Sequence, residues 1–278
     1  MSRIAASPVE AAMQEGRPWL FLSPHLDDAV LSCGALIGAS ANHREVTVTT
    51  IFTESRIGPH TRAARSFMRQ CSVKDAQLLF EARRAEDRAV LSDLGVKCLH
   101  LGVSDALYRQ REQLVIGTEL IGRLVPELVH RYPTYRFDIA RGRIAHKDRD
   151  LITELQARVS QIIDDGNVRL VFCPLGVGRH VDHLITRMVG EKFPDLVVYY
   201  SDFPYNQTFH PDPSFISSHG LRPWAWSQDV HAKQRLIRGY TTQADALFPG
   251  GRIPVAPEIY YCNDGTRLSP FMTRLVGG

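Results

Sequence analysis

The sequence contains no apolar run that approaches the ~20 residues a helix needs to cross a bilayer, and no collagen-like glycine repeat. Its 278 residues carry 33 basic and 30 acidic side chains, so neither sign of charge dominates. A net charge of +3 is too small to indicate a nucleic-acid partner, because such proteins present a strongly basic face. Since 44% of the residues are hydrophobic, a disordered chain is also excluded. We therefore expect a globular protein with no membrane span and no nucleic-acid partner.

Cysteine pairs with the spacing of a zinc ribbon or a redox site are also missing. The five cysteines are scattered along the chain, and no two of them form a C-x-x-C motif. The first residues lack the apolar core of 7–15 residues that is typical of a signal peptide. We therefore expect a reduced cytoplasmic protein without disulfides.

Short apolar runs alternate with longer segments of helical periodicity. The predicted strands are Pro18–Ser23, Val46–Thr53, Val96–Leu101, Val168–Cys173 and Leu196–Tyr200. The predicted helices are Ala29–Ser40, Leu78–Leu94, Glu112–His130, Arg149–Asp164 and His183–Lys192. This alternation predicts βαβ units, and so a mainly parallel sheet with helices on both faces. We expect a single α/β domain, Rossmann-like and three-layered, over residues 1–278 with its core over about 18–262.

Two segments depart from this alternation and are predicted to be long loops. Residues 54–75 are polar and basic, and residues 202–228 contain four prolines. Loops of that length are usually functional or mobile. Arg56 and Arg62 could bind an anionic group of a substrate, although a solvated basic surface explains them equally well. Trp224 could stack on a sugar ring or form a subunit contact, so a homo-oligomer stays open.

A first polar cluster follows the first predicted strand. His25, Asp27 and Asp28 stand within four residues, directly before the helix predicted from Ala29. An imidazole and a carboxylate with an open position are the composition of catalytic zinc sites. His25 and Asp28 can face one ion while Asp27 faces the water. The alternative is that an aspartate simply caps the helix.

A second polar cluster follows the fourth predicted strand. His180 and His183 are three residues apart at a helix start, and Asp182 between them could orient an imidazole through its second nitrogen. A pair of surface histidines is the alternative. In a parallel sheet the carboxyl ends of the strands share one edge, so the two clusters should meet there. His25, Asp28 and one of the two histidines would then complete a zinc site, with Asp27 and the other histidine as acid–base groups.

These two motifs resemble the paired signature of the PIG-L/LmbE-like family, which comprises zinc-dependent de-N-acetylases of N-acetylglucosamine-containing molecules. Further similarity covers most of the chain: Arg83-Arg84-Ala85-Glu86 before Leu94-Gly95-Val96, Leu101-Gly102 with Asp105, and Lys233 through Tyr240-Thr241-Thr242-Gln243. The sequence departs from the family at Leu26 and Ala29, where proline and glutamate are usual. Neither lost residue is a ligand in the family pattern.

The resemblance implies a role for each residue of the two clusters. Zinc would be bound by His25, Asp28 and His183, and Asp27 would be the general base. His180 would stabilise the oxyanion or protonate the leaving amine. We also predict that Asp182 is one of the catalytic residues. One of Arg83 and Arg84 would point into the cleft and contact the substrate.

The sequence thus predicts a zinc-dependent hydrolase that removes an N-acetyl or other N-acyl group from an amino-sugar-containing small molecule in a biosynthetic pathway. A metal-dependent phosphoesterase is one alternative, although two-metal phosphoesterases need more bridging carboxylates. A non-catalytic sugar- or nucleotide-binding α/β module is the other. Such a module would have no need for a base beside a metal-type cluster.

Overall fold

The computed structural model describes residues 8–111, 122 and 124–263. Within these ranges the strands are β1 Trp19–Ser23, β2 Val46–Glu54, β3 Lys97–Ser104, β4 Leu170–Pro174, β5 Val197–Tyr200, β6 Arg222–Trp226 and β7 Glu258–Cys262. The α-helices are α1 Pro8–Met13, α2 Asp28–Ala41, α3 Arg62–Gln70, α4 Ala76–Asp93, α5 Asp148–Asp165, α6 Val181–Gly190, α7 Pro213–Ser218, α8 Val230–Arg238 and α9 Thr241–Leu247.

All seven strands form one sheet in the order β3-β2-β1-β4-β5-β7-β6. The first five in sequence are parallel, while β7 pairs antiparallel with β5 and with β6. The predicted single α/β domain with a mainly parallel sheet is confirmed. Because the chain moves outward from β1 in both directions, the strand order reverses between β1 and β4. Ligand sites of such sheets lie outside the carboxyl ends of the strands at this point.

Side chains of β1 alternate between two cores, one on each face of the sheet. Leu20 and Leu22 pack into the core beneath α5 and α6, whereas Trp19 and Phe21 pack into the core beneath α2. All four side chains are fully buried. A strand that is covered on both faces reads as a continuous apolar run, which is why β1 was recognisable in the sequence.

The two predicted long loops contain regular structure, and that part of the prediction is wrong. Residues 54–75 include α3, whose first turn is capped by Thr61 and which buries only Ala64 and Met68. Residues 202–228 include a 3₁₀ turn, α7 and β6. β6 is the outermost strand, where a proline such as Pro223 is tolerated.

The helix predicted over 112–130 lies largely outside the described residues. Its end does not continue as a helix, because Pro126–Leu128 is a 3₁₀ turn and His130 forms an isolated β-bridge with Gln110. The extent of the domain over 1–278 stays a prediction, because both termini lie outside the described ranges. Among the described helices, none combines the length and the apolar character that crossing a membrane requires.

Candidate active site

The two predicted clusters meet at the point where the strand order reverses. His25 to Asp28 follow β1, and His180 to His183 follow β4, the neighbouring strand. The ring of His25 lies 5.0 Å from that of His180 and 5.3 Å from that of His183, between centroids. The structure therefore assembles one site from segments about 150 residues apart.

A serine, not an aspartate side chain, organises the turn between β1 and α2. The Ser23 hydroxyl donates to the carbonyl of His25 at 2.6 Å and accepts the N–H of Ala29 at 3.0 Å. Asp27 stands at the N-cap position, yet its side chain makes no capping hydrogen bond. The helix-cap explanation of Asp27 therefore fails, and its carboxylate is left for another role.

The residues of the predicted zinc site converge on one carboxylate oxygen. Oδ2 of Asp28 lies 3.0 Å from Nδ1 of His25 and 3.2 Å from Nε2 of His183. Nε2 of His183 is buried and makes no well-formed hydrogen bond, so a bound cation would satisfy it. Two imidazole nitrogens and one carboxylate oxygen form a donor set that fits zinc.

The electrostatics of this set also favour a cation. Burial by itself lowers the pKa of His183, but Asp28 and Asp202 outweigh it and raise that pKa to about 9. Burial likewise opposes a charge on His25, yet Asp182 and Asp28 hold its pKa well above the usual value. Buried carboxylates thus create a negative potential where both imidazoles point.

His183 is held from behind by a residue that the sequence analysis did not identify. Asp202 follows β5, and its Oδ1 lies 2.6 Å from Nδ1 of His183. Its Oδ2 accepts the backbone N–H groups of Gly176 and Val177, both at 2.8 Å. A carboxylate on Nδ1 fixes the tautomer that leaves Nε2 free for a metal. The feature of the sequence that could have identified Asp202 is the position of an acidic residue just after a predicted strand.

Asp182 supports His25 instead of the neighbouring His180 ring. Its Oδ2 lies 3.2 Å from Nε2 of His25, and its Oδ1 accepts a hydrogen bond from Arg109 at 2.6 Å. Arg109 also pairs with Asp148 at 2.8 Å, and all three of these charged side chains are buried. The prediction that Asp182 orients an imidazole thus agrees with this geometry.

Asp27 and His180 both line the cavity, and their surroundings shift their pKa values in opposite directions. Burial, together with the neighbouring Asp28, raises the pKa of Asp27 to about 7, and its Oδ1 lies 3.8 Å from a guanidinium nitrogen of Arg83. Nδ1 of His180 accepts the backbone N–H of Asp182 at 3.3 Å. Burial and the nearby His25 lower the pKa of His180 well below its usual value. His180 is therefore a neutral imidazole whose proton is on Nε2.

Asp27 and His180 line a cavity of about 440 Å³, a size typical of small-molecule sites. The polar side chains in its lining include His25, Asp27, Asp28, Arg83, Asp105 and His180. Apolar and aromatic residues around them include Leu31, Phe67, Leu107, Tyr135, Tyr205 and Leu247. A lining that combines polar and aromatic side chains suits a ligand such as a sugar, with polar edges and apolar faces.

Of the five residues predicted to contact substrate, only Arg83 is among the described residues that line this cavity. Arg84 instead donates to the carbonyl of Thr53 at 2.8 Å. Arg56 and Arg62 are exposed on the segment after β2.

Trp224, the fifth of these residues, lies on β6. Its ring packs 5.3 Å from that of Tyr260, between centroids. Tyr260 belongs to the apolar core beneath α2, so Trp224 covers that core at the sheet edge. Trp224 is thus not among the described residues that line the cavity, which corrects the expectation that it stacks on a sugar bound there, while a subunit contact stays a prediction.

Comparison with known proteins gives one consistent answer. Residues 20–193, more than half of the chain, match the family PIG-L, described as GlcNAc-PI de-N-acetylase. The 2'-N-acetylparomamine deacetylase of Streptomyces fradiae is 27% identical over 84% of this chain and 75% of its own length. The enzyme with the same description from Niallia circulans is 26% identical over 84% of each chain.

A solved structure gives the same fold. The zinc-inhibited form of the teicoplanin deacetylase Orf2 superposes with a TM-score of 0.67, covering 88% of this chain and 97% of that one at 24% identity. Since the family match spans most of the sheet and both polar clusters, this chain belongs to the PIG-L family.

Proposed function

We propose that this protein is a zinc-dependent N-deacetylase that hydrolyses the acetamido group of an amino sugar within a small biosynthetic molecule. One observation carries the proposal: Asp27, a buried carboxylate without a capping bond, faces a cavity beside an imidazole and carboxylate set that favours a cation. The curated relatives support the substrate class, because both are described as deacetylases of 2'-N-acetylparomamine.

His25, Asp28 and His183 would hold the zinc ion. When bound, zinc polarises an acyl carbonyl and acidifies water, which makes a poor electrophile and a poor nucleophile reactive. The carboxylates of Asp182 and Asp202 would hold the imidazoles of His25 and His183 in the orientation that binds the ion. Zinc-binding histidines usually have such a hydrogen-bond partner on the other ring nitrogen.

Asp27 would act as the base. Its carboxylate accepts a proton from the attacking water, and the same proton then passes to the amide nitrogen as the C–N bond breaks. The immediate products are acetic acid and a free amine, and the proton that the acid then loses is taken up by the amine, so no other proton donor is needed. Arg83, 3.8 Å away, opposes the rise in the pKa of Asp27 and so favours its charged form.

His180 would stabilise the oxyanion. Because its Nδ1 accepts the N–H of Asp182, its Nε2 carries a hydrogen that can be donated to the carbonyl oxygen as negative charge develops. Of the two roles that the sequence left open for His180, this tautomer supports oxyanion stabilisation, and it leaves protonation of the amine to Asp27.

The test is release of acetate and free amine from a panel of N-acetylated amino sugars and aminoglycoside precursors. We expect turnover with zinc, loss of turnover with a chelator and recovery when zinc is restored. The His183→Ala variant serves as the matched control without a complete metal site. Turnover that a chelator does not affect, or a zinc-loaded protein that deacetylates no member of the panel, would overturn the proposal.

We also propose a cytoplasmic location, which is supported by the five cysteines, because all of them lie in the described ranges and none forms a disulfide. A homo-oligomer and the lack of a nucleic-acid partner stay predictions. Size-exclusion chromatography with light scattering measures the oligomeric state directly.

A further inference from the structure

A second set of metal-ligating side chains lies between β3 and α4. Asp87 belongs to α4, while Cys98 and His100 belong to β3. Residues two apart on a strand project from the same face, and here that face meets α4. None of these three residues belongs to the candidate active site.

The three ligand atoms already lie close to the spacing that a tetrahedral ion needs. Nε2 of His100 is 2.9 Å from Oδ2 of Asp87 and 3.2 Å from Sγ of Cys98, and Sγ is 3.8 Å from Oδ2. Zinc bonds of ~2.3 Å to sulfur and ~2.0 Å to nitrogen and oxygen place ligand atoms ~3.3–3.6 Å apart. Small side-chain shifts of about half an ångström or less would therefore admit the ion.

The carboxylate of this set is fixed in place. The hydroxyl of Tyr240 donates to Oδ1 of Asp87 at 2.8 Å, while Oδ2 faces Cys98 and His100 and also accepts the Thr50 hydroxyl at 3.3 Å. Asp87 is buried, whereas His100 and Cys98 are half-buried, with 12% of the His100 side chain exposed. An ion held here would thus be reachable by solvent on one side.

The geometry points to a second cation site, in which Asp87, Cys98 and His100 bind a thiophilic divalent ion such as zinc and water takes the fourth position. Sulfur, imidazole and carboxylate together select zinc-like ions over magnesium or calcium, which prefer oxygen alone. Binding replaces the hydrogen on the Cys98 sulfur by the metal and releases it as a proton. The ion would tie β3 to α4, the helix that carries Arg83 to the cavity.

Cobalt(II) distinguishes this site from the candidate active site, because only this one contains sulfur. We expect the metal-free full-length protein to bind two equivalents, one of which gives a thiolate-to-cobalt charge-transfer band in the near ultraviolet. Cys98→Ser should abolish the band and one equivalent. The Cys71→Ser variant changes another half-buried thiol and should keep the charge-transfer band and both equivalents of cobalt.

The His183→Ala variant separates this inference from the proposed function. This variant should lose the cobalt equivalent bound at the candidate active site, which gives no charge-transfer band. It should keep the equivalent bound by Cys98, which gives the band. A wild-type protein that shows no band, or a band that survives Cys98→Ser, overturns the inference while leaving the deacetylase proposal intact.

A second measurement does not depend on how Cys98→Ser folds. Zinc should slow alkylation of Cys98 in the wild-type protein, as followed by peptide mass spectrometry, because a coordinated sulfur is shielded from the reagent. His100→Gln keeps the thiol but removes a ligand, so protection by zinc should drop at least tenfold. Equal protection in both proteins, or none in the wild type, would contradict a metal site.

Discussion

Replacing Asp202 by asparagine tests whether the residue behind His183 controls metal binding. The aspartate uses both oxygens: Oδ1 meets Nδ1 of His183 at 2.6 Å, and Oδ2 accepts the N–H groups of Gly176 and Val177 at 2.8 Å. Asparagine has one oxygen and one NH₂ group, so it can satisfy only one of these two sides.

The two orientations of the new amide differ in cost. If its NH₂ group faced the two backbone N–H groups, each of those buried donors would lose its partner, at ~1–3 kcal/mol apiece. If its oxygen stays on the amides, the NH₂ group faces Nδ1 of His183 and moves the ring hydrogen to Nε2. The second orientation keeps more bonds and is the one we expect. His183 then offers no lone pair to a metal until it changes tautomer.

The expected result for Asp202→Asn is a loss of zinc affinity of ~10–100-fold, which corresponds to ~1.4–2.7 kcal/mol. Competition with a chromophoric chelator measures this loss. Asp75→Asn is the matched control, since one oxygen of Asp75 also accepts two backbone N–H groups while Asp75 is not among the described residues that line the cavity. We expect its zinc affinity to be unchanged. An unchanged zinc dissociation constant in Asp202→Asn would refute the tautomer argument.

Three further substitutions test other parts of the site. Asp27→Asn should keep a full equivalent of zinc in metal analysis but lower kcat ~10²–10⁴-fold, because the base is removed; unchanged turnover would contradict its role. His183→Ala should lose the zinc, and full occupancy would remove it from the ligand set. Arg109→Met removes the guanidinium that joins the buried carboxylates of Asp148 and Asp182, which keep Arg131 and His25 as remaining partners, so denaturant unfolding should show a loss of ~1.5–3 kcal/mol. A change no larger than that of an exposed ion pair, ~0–1 kcal/mol, would contradict this network.

The central part of the sheet could be predicted because its strands are buried on both faces. β1 and β4 are short apolar runs without polar interruption, and each is followed by a helix with a buried face. β6 has three exposed positions at the edge, one of them Pro223, so its pattern is that of a loop. β7 was missed because it begins with Glu258 and alternates buried with partly buried positions, so it is not a continuous apolar run.

The candidate site was only partly predictable for a different reason. His25, Asp27 and Asp28 stand together in sequence, so their chemistry is visible before any fold is known. Asp202 acts through a contact with His183 across 19 positions, and nothing in its neighbours resembles a motif. Arg56 and Arg62 were candidates for an anion contact because arginines suit anions, with a solvated surface as the alternative, and residue type alone does not say where a side chain lies.

The way the site is assembled separates the parts of the chain that can vary from those that cannot. Each imidazole of the proposed zinc set is braced by a carboxylate from another segment: His25 by Asp182 after β4, and His183 by Asp202 after β5. Strand order and register therefore fix the ligands, while the cavity walls come from segments beyond the strand ends, such as α3 and the turn at Tyr205. Substrate range can then change through those walls without disturbing the metal set. The exception is the start of the segment 202–228, where any rearrangement that moved Asp202 would also release His183.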